Sequence, residues 1–355
     1  MWMVSGVAML LSLILSVHLI YKHLRNYNCP ILQRYIIRIL IMVPVYSIDS
    51  WLSLLFVEYS LYFDFTRDIY EAYVLYSFFC LIVAYVEMHN DVFELLEKKQ
   101  SMLHPWPLSY CLPRIKLGPT FLRNCQQMVL QFVFVKPVVA IVSIVLQVFG
   151  YYGQGKFVPD RGYLWLVIIE NISVWMSLYA LVLFYQCMSK ELQPFKPFGK
   201  FMCIKMVIFF SFWQGVIIAL LSYFHVINSV GDWTIHNISE ALQNFIICLE
   251  MFVISVIHHY FFPYAEYKDV SRFKQGWLFN EEFDTKEQAP SKQVNILKNF
   301  MKAANVSDVI GDTKQSFLVP LLNDDSEEDD EETIDNIREM DSIYIRQDEA
   351  DEDSS

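Results

Sequence analysis

The sequence predicts an all-α integral membrane protein with seven transmembrane helices, an outside N-terminus, a cytoplasmic C-terminus and a disordered acidic tail. Three observations predict this class: the composition, the length of the apolar runs and the distribution of Lys and Arg among the loops. The chain of 355 residues is 55% hydrophobic, with a mean hydropathy of +0.31. Both values are higher than is typical of soluble domains.

Apolar runs of about 20 residues recur seven times, and about 20 residues is the length that an α-helix needs to cross ~30 Å of hydrocarbon. Helices are expected because every backbone polar group in lipid must be satisfied within its own segment. The predicted spans cover residues 3–21, 35–57, 69–88, 132–151, 163–187, 201–224 and 241–264. Together they form a membrane domain over residues 1–265.

The first run is predicted to be a true span and not a cleaved signal peptide. A signal peptide carries its basic residues before the apolar core, whereas here Lys22 and Arg25 follow it. The loops also fix the orientation. The first, third and fifth loops contain eleven Lys and Arg residues: Lys22, Arg25, Arg34, Lys98, Lys99, Arg114, Lys116, Arg123, Lys190, Lys196 and Lys200. The alternate loops contain three: Arg67, Lys156 and Arg161. The richer set is expected in the cytoplasm.

The chain changes composition after the last span. Residues 266–322 form a cytoplasmic juxtamembrane segment, in which the apolar spacing over Ser291–Val309 predicts an amphipathic helix on the protein or the membrane. Residues 323–355 form an acidic tail that accounts for most of the net charge of −12 and is expected to be disordered. Ser326, followed by acidic residues, is a candidate phosphorylation site.

Two kinds of modification are also suggested by the sequence. Cys111 and Cys125 lie near the cytoplasmic interface, where S-acylation occurs, although buried apolar packing is an alternative role for either. Asn237 opens an Asn-Ile-Ser sequon in the last outer loop and is a candidate for N-glycosylation.

Polar side chains inside the spans are the strongest functional indication, because an ionisable group at a helix centre costs about 2.5–3.5 kcal/mol on insertion scales. Carboxylates occupy the predicted outer half, and basic residues and histidine the inner half, although Arg38 could simply snorkel to the interface. The predicted polar seam consists of Asp49, Glu170, Gln214, Glu250, Arg38, Lys205 and His258. Such a seam suits a substrate path, a coupling-ion site or proton relay, or a static hydrogen-bonded network.

The segment "FTRDIYEAY" places Arg67, Asp68 and Glu71 at the outer mouth of the third span. Arg67 and Glu71 are four residues apart and are expected to pair on one helix face. Asp68 is expected to stabilise the helix start through the helix dipole. Glu71 is then the member that faces the seam.

Motifs for chemistry are absent from the sequence. It contains no His-Glu-x-x-His, Gly-x-Ser-x-Gly or P-loop motif, and the adjacent His258 and His259 project about 100° apart on a helix. We therefore expect no enzyme, metal, cofactor or nucleic-acid partner. The third span ends in "VEMHND" and the seventh in "FFPYAEY", without the motifs of G-protein-coupled receptors, and the seventh span has no Lys for retinal.

Five blocks carry a resemblance to a known family. They are "RYIIRILIMVPVYSIDSWLSLLF", "RDIYEAYVLYSF", "TFLRNCQQMVLQFVFVKP", "ELQPFKPFGKFMCIKMVIFFSFWQG" and "FIICLEMFVISVIHHYFFPYAEY", within residues 1–270. Together they resemble the organic solute transporter alpha / transmembrane protein 184 family, and the transmembrane protein 184 branch more closely. The third inner loop departs from the family pattern, because Cys111 stands without neighbouring cysteines, which argues against multiple acylation.

The resemblance implies a multi-pass transporter of a small organic, amphipathic or lipid-like solute. Its expected partners are that solute, membrane lipids and either a second copy or an accessory subunit. The expected location is the plasma membrane, with endosomal or vacuolar membrane as the alternative. The alternative function is a heptahelical receptor or a signalling or trafficking scaffold that acts through its cytoplasmic tail.

Overall fold

The structure is a computed structural model. It describes residues 1–88, 91–99, 101–105, 108–110, 113–153, 158–224, 235–268, 296–305, 309 and 311. Cys111, Ser326 and the acidic tail over residues 323–355 lie outside the described residues.

Long helices account for nearly all of the described chain. They are α1 (Trp2–Arg25), α2 (Pro30–Leu40), α3 (Met42–Leu55), α4 (Ser60–Glu87), α5 (Val92–Lys99), α6 (Pro119–Val148), α7 (Gly162–Cys187), α8 (Ser189–Leu192), α9 (Pro197–Tyr223), α10 (Ile235–Phe261) and α11 (Ile296–Ala304). Two short antiparallel strands also pair, β1 (Ser101–Met102) with β2 (Ile115–Lys116). Short 3₁₀ helices lie at Val57–Tyr59, Leu108–Tyr110, Gln193–Phe195 and Tyr264–Tyr267.

Six segments of the described chain are long and apolar enough to cross a membrane, against the seven predicted. They are Trp2–Arg25, Pro30–Leu55, Tyr62–Glu87, Pro119–Val148, Gly162–Cys187 and Asn237–Tyr267. The chain is therefore an all-α membrane protein. Helix α9 coincides with the predicted sixth span and has 27 residues, but it is not one of the six.

The second span is interrupted where the sequence contains proline. Helix α2 ends at Leu40 and α3 begins at Met42. Pro44 has no N–H to donate to the carbonyl of Leu40, and its ring crowds that carbonyl, so the regular helix breaks one turn before the proline. The flanking bonds persist, from the Ile41 amide to the Ile37 oxygen at 3.0 Å and from the Val45 amide to the Ile41 oxygen at 3.1 Å.

Helix α4 begins at Ser60, about two turns before the predicted start at residue 69. The prediction treated the charged residues before residue 69 as part of a loop. In the structure Asp64 pairs with Arg67 one turn later, so both charges are accommodated within the helix. Helix α6 likewise begins at Pro119, well before residue 132, with proline at its first position, where the missing N–H costs nothing. Both corrections move charged residues from helix starts into helix interiors.

Helix α4 and the α2–α3 segment are the most buried of the six membrane-crossing segments. Helix α4 packs on α2, α3 and α6, while α10 packs on α1, α3 and α9, and α6 and α7 form an antiparallel pair at the periphery. The buried core is rich in aromatic side chains such as Tyr76, Phe79 and Phe184. The peripheral helices expose apolar side chains, including Met3 and Trp175, as expected for surfaces that face lipid.

Candidate functional site

A group of oppositely charged side chains joins α4, α6 and α7 inside the bundle. Lys136, near the middle of α6, lies 3.2 Å from an Asp68 oxygen and 3.6 Å from a Glu170 oxygen. The Lys136 side chain is only 11% exposed. One ammonium thus stands between carboxylates from two other helices.

A second pair lies one turn further along α4. Glu71 is 3.7 Å from the Lys205 ammonium on α9, and both side chains are 14% exposed. Tyr46 of α3 hydrogen-bonds to Glu71. Glu71 comes eleven residues after Ser60, or about 16 Å along the helix at ~1.5 Å per residue. This pair therefore lies near the middle of the 28-residue α4.

We call Asp68, Glu71, Lys136, Glu170 and Lys205 the central ion-pair network. Asp68 and Glu71 are three residues apart and therefore share one face of α4. The two ion pairs thus lie next to each other along that face. The network combines predicted seam residues (Glu71, Glu170 and Lys205) with two that the sequence reasoning did not place there. Asp68 was expected to stabilise a helix start, and Lys136 lies near the start of the predicted fourth span, over residues 132–151.

Nearer the start of α4, Arg67 binds groups from α3, α10 and α4 itself. It lies 2.6 Å from Asp64, and it donates to the Ser50 hydroxyl at 3.2 Å and to the Asn244 side-chain oxygen at 3.5 Å. The prediction that Arg67 pairs with Glu71 is wrong, because the longer α4 offers Asp64 on the same face and Glu71 pairs with Lys205. Asp49 of α3 is close by and 8% exposed.

Two other predicted seam positions form a separate contact between α9 and α10. The Gln214 amide donates to a Glu250 oxygen. The second Glu250 oxygen and the Gln214 oxygen are buried, and neither has a hydrogen-bond partner within the described part of the chain. His258, 1% exposed, also lacks a partner there for either ring nitrogen, and its ring meets Phe262 edge-on at 5.5 Å. The structure does not bring Glu250, Gln214 or His258 into the central ion-pair network.

Helix α11 covers the end of the seam that lies at the start of α2. We call it the inner end, because the sequence predicts that it faces the cytoplasm. Arg38 of α2 is 1% exposed and does not snorkel. Its Nε donates to the Ala303 carbonyl at 2.9 Å, and its Nη2 donates to the Asn305 carbonyl. Tyr70, the neighbour of Glu71, donates its hydroxyl to the Arg38 carbonyl at 2.7 Å. Arg38 thus connects the network to the segment that follows the membrane domain.

A second cation at the inner end was predicted only as a loop residue. Lys200 is 3% exposed at the start of α9 and donates to the Tyr85 hydroxyl at 2.8 Å. Tyr85 and Tyr267 share a hydrogen bond of 2.8 Å, and Glu266 lies 3.8 Å from the Lys200 ammonium. This arrangement fixes the end of α10 against α4 and α9.

The modification candidates fall in different settings. Cys125 is completely buried in α6, so its thiol is not accessible for acylation in this conformation. Asn237 lies in the first turn of α10 and not in a loop. Six described cysteines, Cys29, Cys80, Cys125, Cys187, Cys203 and Cys248, are free thiols.

The network has a clear chemical capacity. Because Lys136 already contacts two carboxylates, it can shift from one to the other without passing through an unpaired state. A charged group on a solute can replace either partner in the same way, and in a low-dielectric site such replacements decide which conformation is stable. The sequence carried a signal for Lys136, since apolar runs flank it on both sides in "VLQFVFVKPVVAIVSIVL".

Comparison with known families gives the same general picture. A model of the Organic solute transporter Ostalpha family matches residues 1–267. The chain belongs to this family. Membership supports a membrane solute transporter role rather than an enzymatic one. The Ostalpha match covers the whole bundle and ends before α11 and the acidic tail. No solved structure matches the chain.

Proposed function

We propose that this protein carries a small organic solute, amphipathic or lipid-like, through the polar seam of a seven-helix bundle. The observation that carries the proposal is the central ion-pair network, which draws side chains from α4, α6, α7 and α9 to the middle of the bundle. Buried ion pairs are poor devices for stability alone, because desolvation offsets most of their attraction. Their value here is that they can exchange partners with a solute.

The proposed topology has seven crossings, with α9 as the sixth crossing in chain order. Its 27 residues give about 40 Å of helix, enough for ~30 Å of hydrocarbon. Eleven basic residues against three in the alternate loops support an outside N-terminus and a cytoplasmic tail. The sequence blocks favour the transmembrane protein 184 branch, and the plasma membrane is the proposed location, with a second copy or an accessory subunit as the proposed partner.

The predicted seam residues have graded roles in this proposal. Glu71, Lys205 and Glu170 form the crossing itself, and Asp49 lies on the outer approach. Glu250 with Gln214 lines a side contact between α9 and α10. Arg38 closes the inner end through α11.

The test uses purified full-length protein in liposomes exposed to a small-molecule extract of cells, with trapped compounds identified by mass spectrometry. The double variant Glu71→Gln/Lys205→Met removes one buried pair and leaves net charge unchanged. We expect specific uptake by the unchanged protein and at least a tenfold loss in this variant, which corresponds to ~1.4 kcal/mol.

The matched control is Glu94→Gln/Lys98→Met, which removes a pair whose side chains are 64% and 65% exposed on α5. It should transport normally. Equal uptake by both double variants, each eluting as folded protein, would remove the network from the transport path.

The alternative, a receptor or scaffold that acts through its tail, is suggested by the acidic run over residues 323–355. Deleting that run separates the two functions. A transporter should keep its uptake in liposomes, whereas a tail-dependent scaffold should lose its cellular partners and show no uptake before or after the deletion.

A further inference from the structure

Asp49 is a buried carboxyl group without a hydrogen-bond partner. It lies on α3, one residue before Ser50, and is 8% exposed. Its Oδ2 is enclosed and accepts no hydrogen bond from any described residue. An ionised carboxylate in this setting would carry the full cost of desolvation without compensation.

The groups around Asp49 do not supply a free positive charge. Among the described residues, Arg67 and Asp64 of α4 are the charged groups that interact with Asp49, while Asp68 of α4 and Glu240 of α10 lie near Asp64. The guanidinium of Arg67 is already engaged with Asp64, the Ser50 hydroxyl and the Asn244 oxygen. Glu240 accepts from the Ser60 hydroxyl at 3.0 Å. Asp68 is paired with Lys136 and Asp64 with Arg67, so Asp49 is the carboxyl group that no cation pairs with among these described neighbours.

We propose that Asp49 holds a proton in this conformation and exchanges it with Asp64 as Arg67 changes partner. In the state shown, Asp49 is a neutral acid and Asp64 is a carboxylate paired with Arg67. If the guanidinium moves to Asp49, the Asp49 proton passes to Asp64, which leaves an Asp49 carboxylate paired with Arg67 and a neutral Asp64. Charge and protons balance in both states.

The geometry gives this exchange a direction. Arg67 pairs with Asp64 and donates to Ser50, the residue after Asp49, and Asp49 interacts electrostatically with both Arg67 and Asp64. Asp64 is four residues from the start of α4, about 6 Å along the axis, and lies 30% exposed. A proton on Asp64 is therefore closer to the outer solution than one on Asp49. Asp49, Arg67 and Asp64 form an outward proton relay.

Infrared difference spectroscopy tests this proton site without any transport assay. The full-length protein in lipid bilayers is compared in H₂O and D₂O at neutral pH, with Asp49→Asn as the isosteric variant and Glu94→Gln as the control. We expect Asp49→Asn to lose the carbonyl band of a protonated carboxyl, and the exposed Glu94 variant to keep it. An unchanged band in folded Asp49→Asn protein would overturn the proposal. A band that disappears when sodium replaces potassium would also overturn it, because the carboxyl group would then bind a sodium ion in place of the proton.

The coupling of this relay to transport rests on the proposed function and is measured separately. Liposomes with an entrapped pH-sensitive dye are given the same cell extract, with and without a pH gradient. We expect the gradient to accelerate uptake by the unchanged protein and to have no effect on Asp49→Asn. If Asp49→Asn loses the band but the pH gradient does not change uptake by the unchanged protein, the proposed coupling is wrong. If no uptake occurs at all, the transport proposal fails, and the infrared result still decides the proton site.

Discussion

The middle and the inner end of the seam bind their cations in different ways. In the middle, Lys136 and Lys205 are paired with carboxylates from other helices. At the inner end, Arg38 donates to two backbone carbonyls and Lys200 to a tyrosine hydroxyl, with the half-exposed Glu266 at 3.8 Å. These bonds to neutral oxygens hold each cation in place.

The difference separates a region built to exchange partners from one built to hold a segment in place. Carboxylate pairs can be replaced by a charged solute, and Lys136 already has two alternatives. The carbonyls that bind Arg38 belong to the end of α11, where the helix dipole is negative and unsatisfied carbonyls are exposed. A buried guanidinium suits that helix end well, and α11 is thereby held against the inner end of the seam.

The largest effect is expected in the middle of the seam, from Lys136→Met. The variant leaves Asp68 and Glu170 without their shared cation. Breaking a fully buried pair in this way costs about 3–5 kcal/mol, and because the two carboxylates are 37% and 27% exposed we expect the lower end of that range. We expect a marked loss of folded protein, measured as the thermal midpoint of monodisperse protein in detergent.

The triple variant Lys136→Met/Asp68→Asn/Glu170→Gln distinguishes charge from packing. It removes the cation and both carboxylates together, so most of the lost stability should return. A triple variant as unstable as Lys136→Met would mean that the lysine stem, and not its charge, holds α4, α6 and α7 together.

A smaller effect is expected at the inner end, from Arg38→Ala. Hydrogen bonds to charged groups contribute about 1.5–3 kcal/mol. Because water can reach the Ala303 and Asn305 carbonyls once the guanidinium is gone, the net loss should also be about 1.5–3 kcal/mol, enough to release α11 while the bundle stays folded. Amide hydrogen exchange in α11 should rise by at least ten- to a hundredfold. The control is Arg25→Ala, at an exposed position at the end of α1, which should leave amide exchange in α11 unchanged. If the α11 amides of Arg38→Ala are as protected as those of the unchanged protein, α11 is held by other contacts.

Sequence patterns predicted the features that depend on local chemistry. The apolar runs placed most of the helices, and Pro44 marked the break between α2 and α3. An amphipathic helix was expected within Ser291–Val309, and α11 lies inside that range. These features follow from residue spacing and backbone geometry, which the sequence displays directly.

Partners between distant segments could not be predicted in the same way. Arg38 and Ala303 are 265 positions apart, and no spacing rule connects them. The start of α4 was also misplaced because the charge of Arg67, inside the helix, was taken as a boundary. Such charges are tolerated because another helix supplies the partner, which is a property of the packed bundle and not of the segment.

The smallest expected effect separates the two ends of α11. Asn299 donates its side-chain amide to the Leu24 carbonyl at 3.1 Å, where α1 ends. A neutral hydrogen bond contributes about 0.5–1.5 kcal/mol, and Ala is the better helix former by roughly half a kcal/mol. Asn299→Ala should therefore weaken the docking of α11 by only about 0–1 kcal/mol, seen as at most a fewfold rise in its amide exchange. An effect as large as that of Arg38→Ala would place the main attachment of α11 at α1, and the charged contact with α2 would then no longer distinguish the inner end of the seam from its middle.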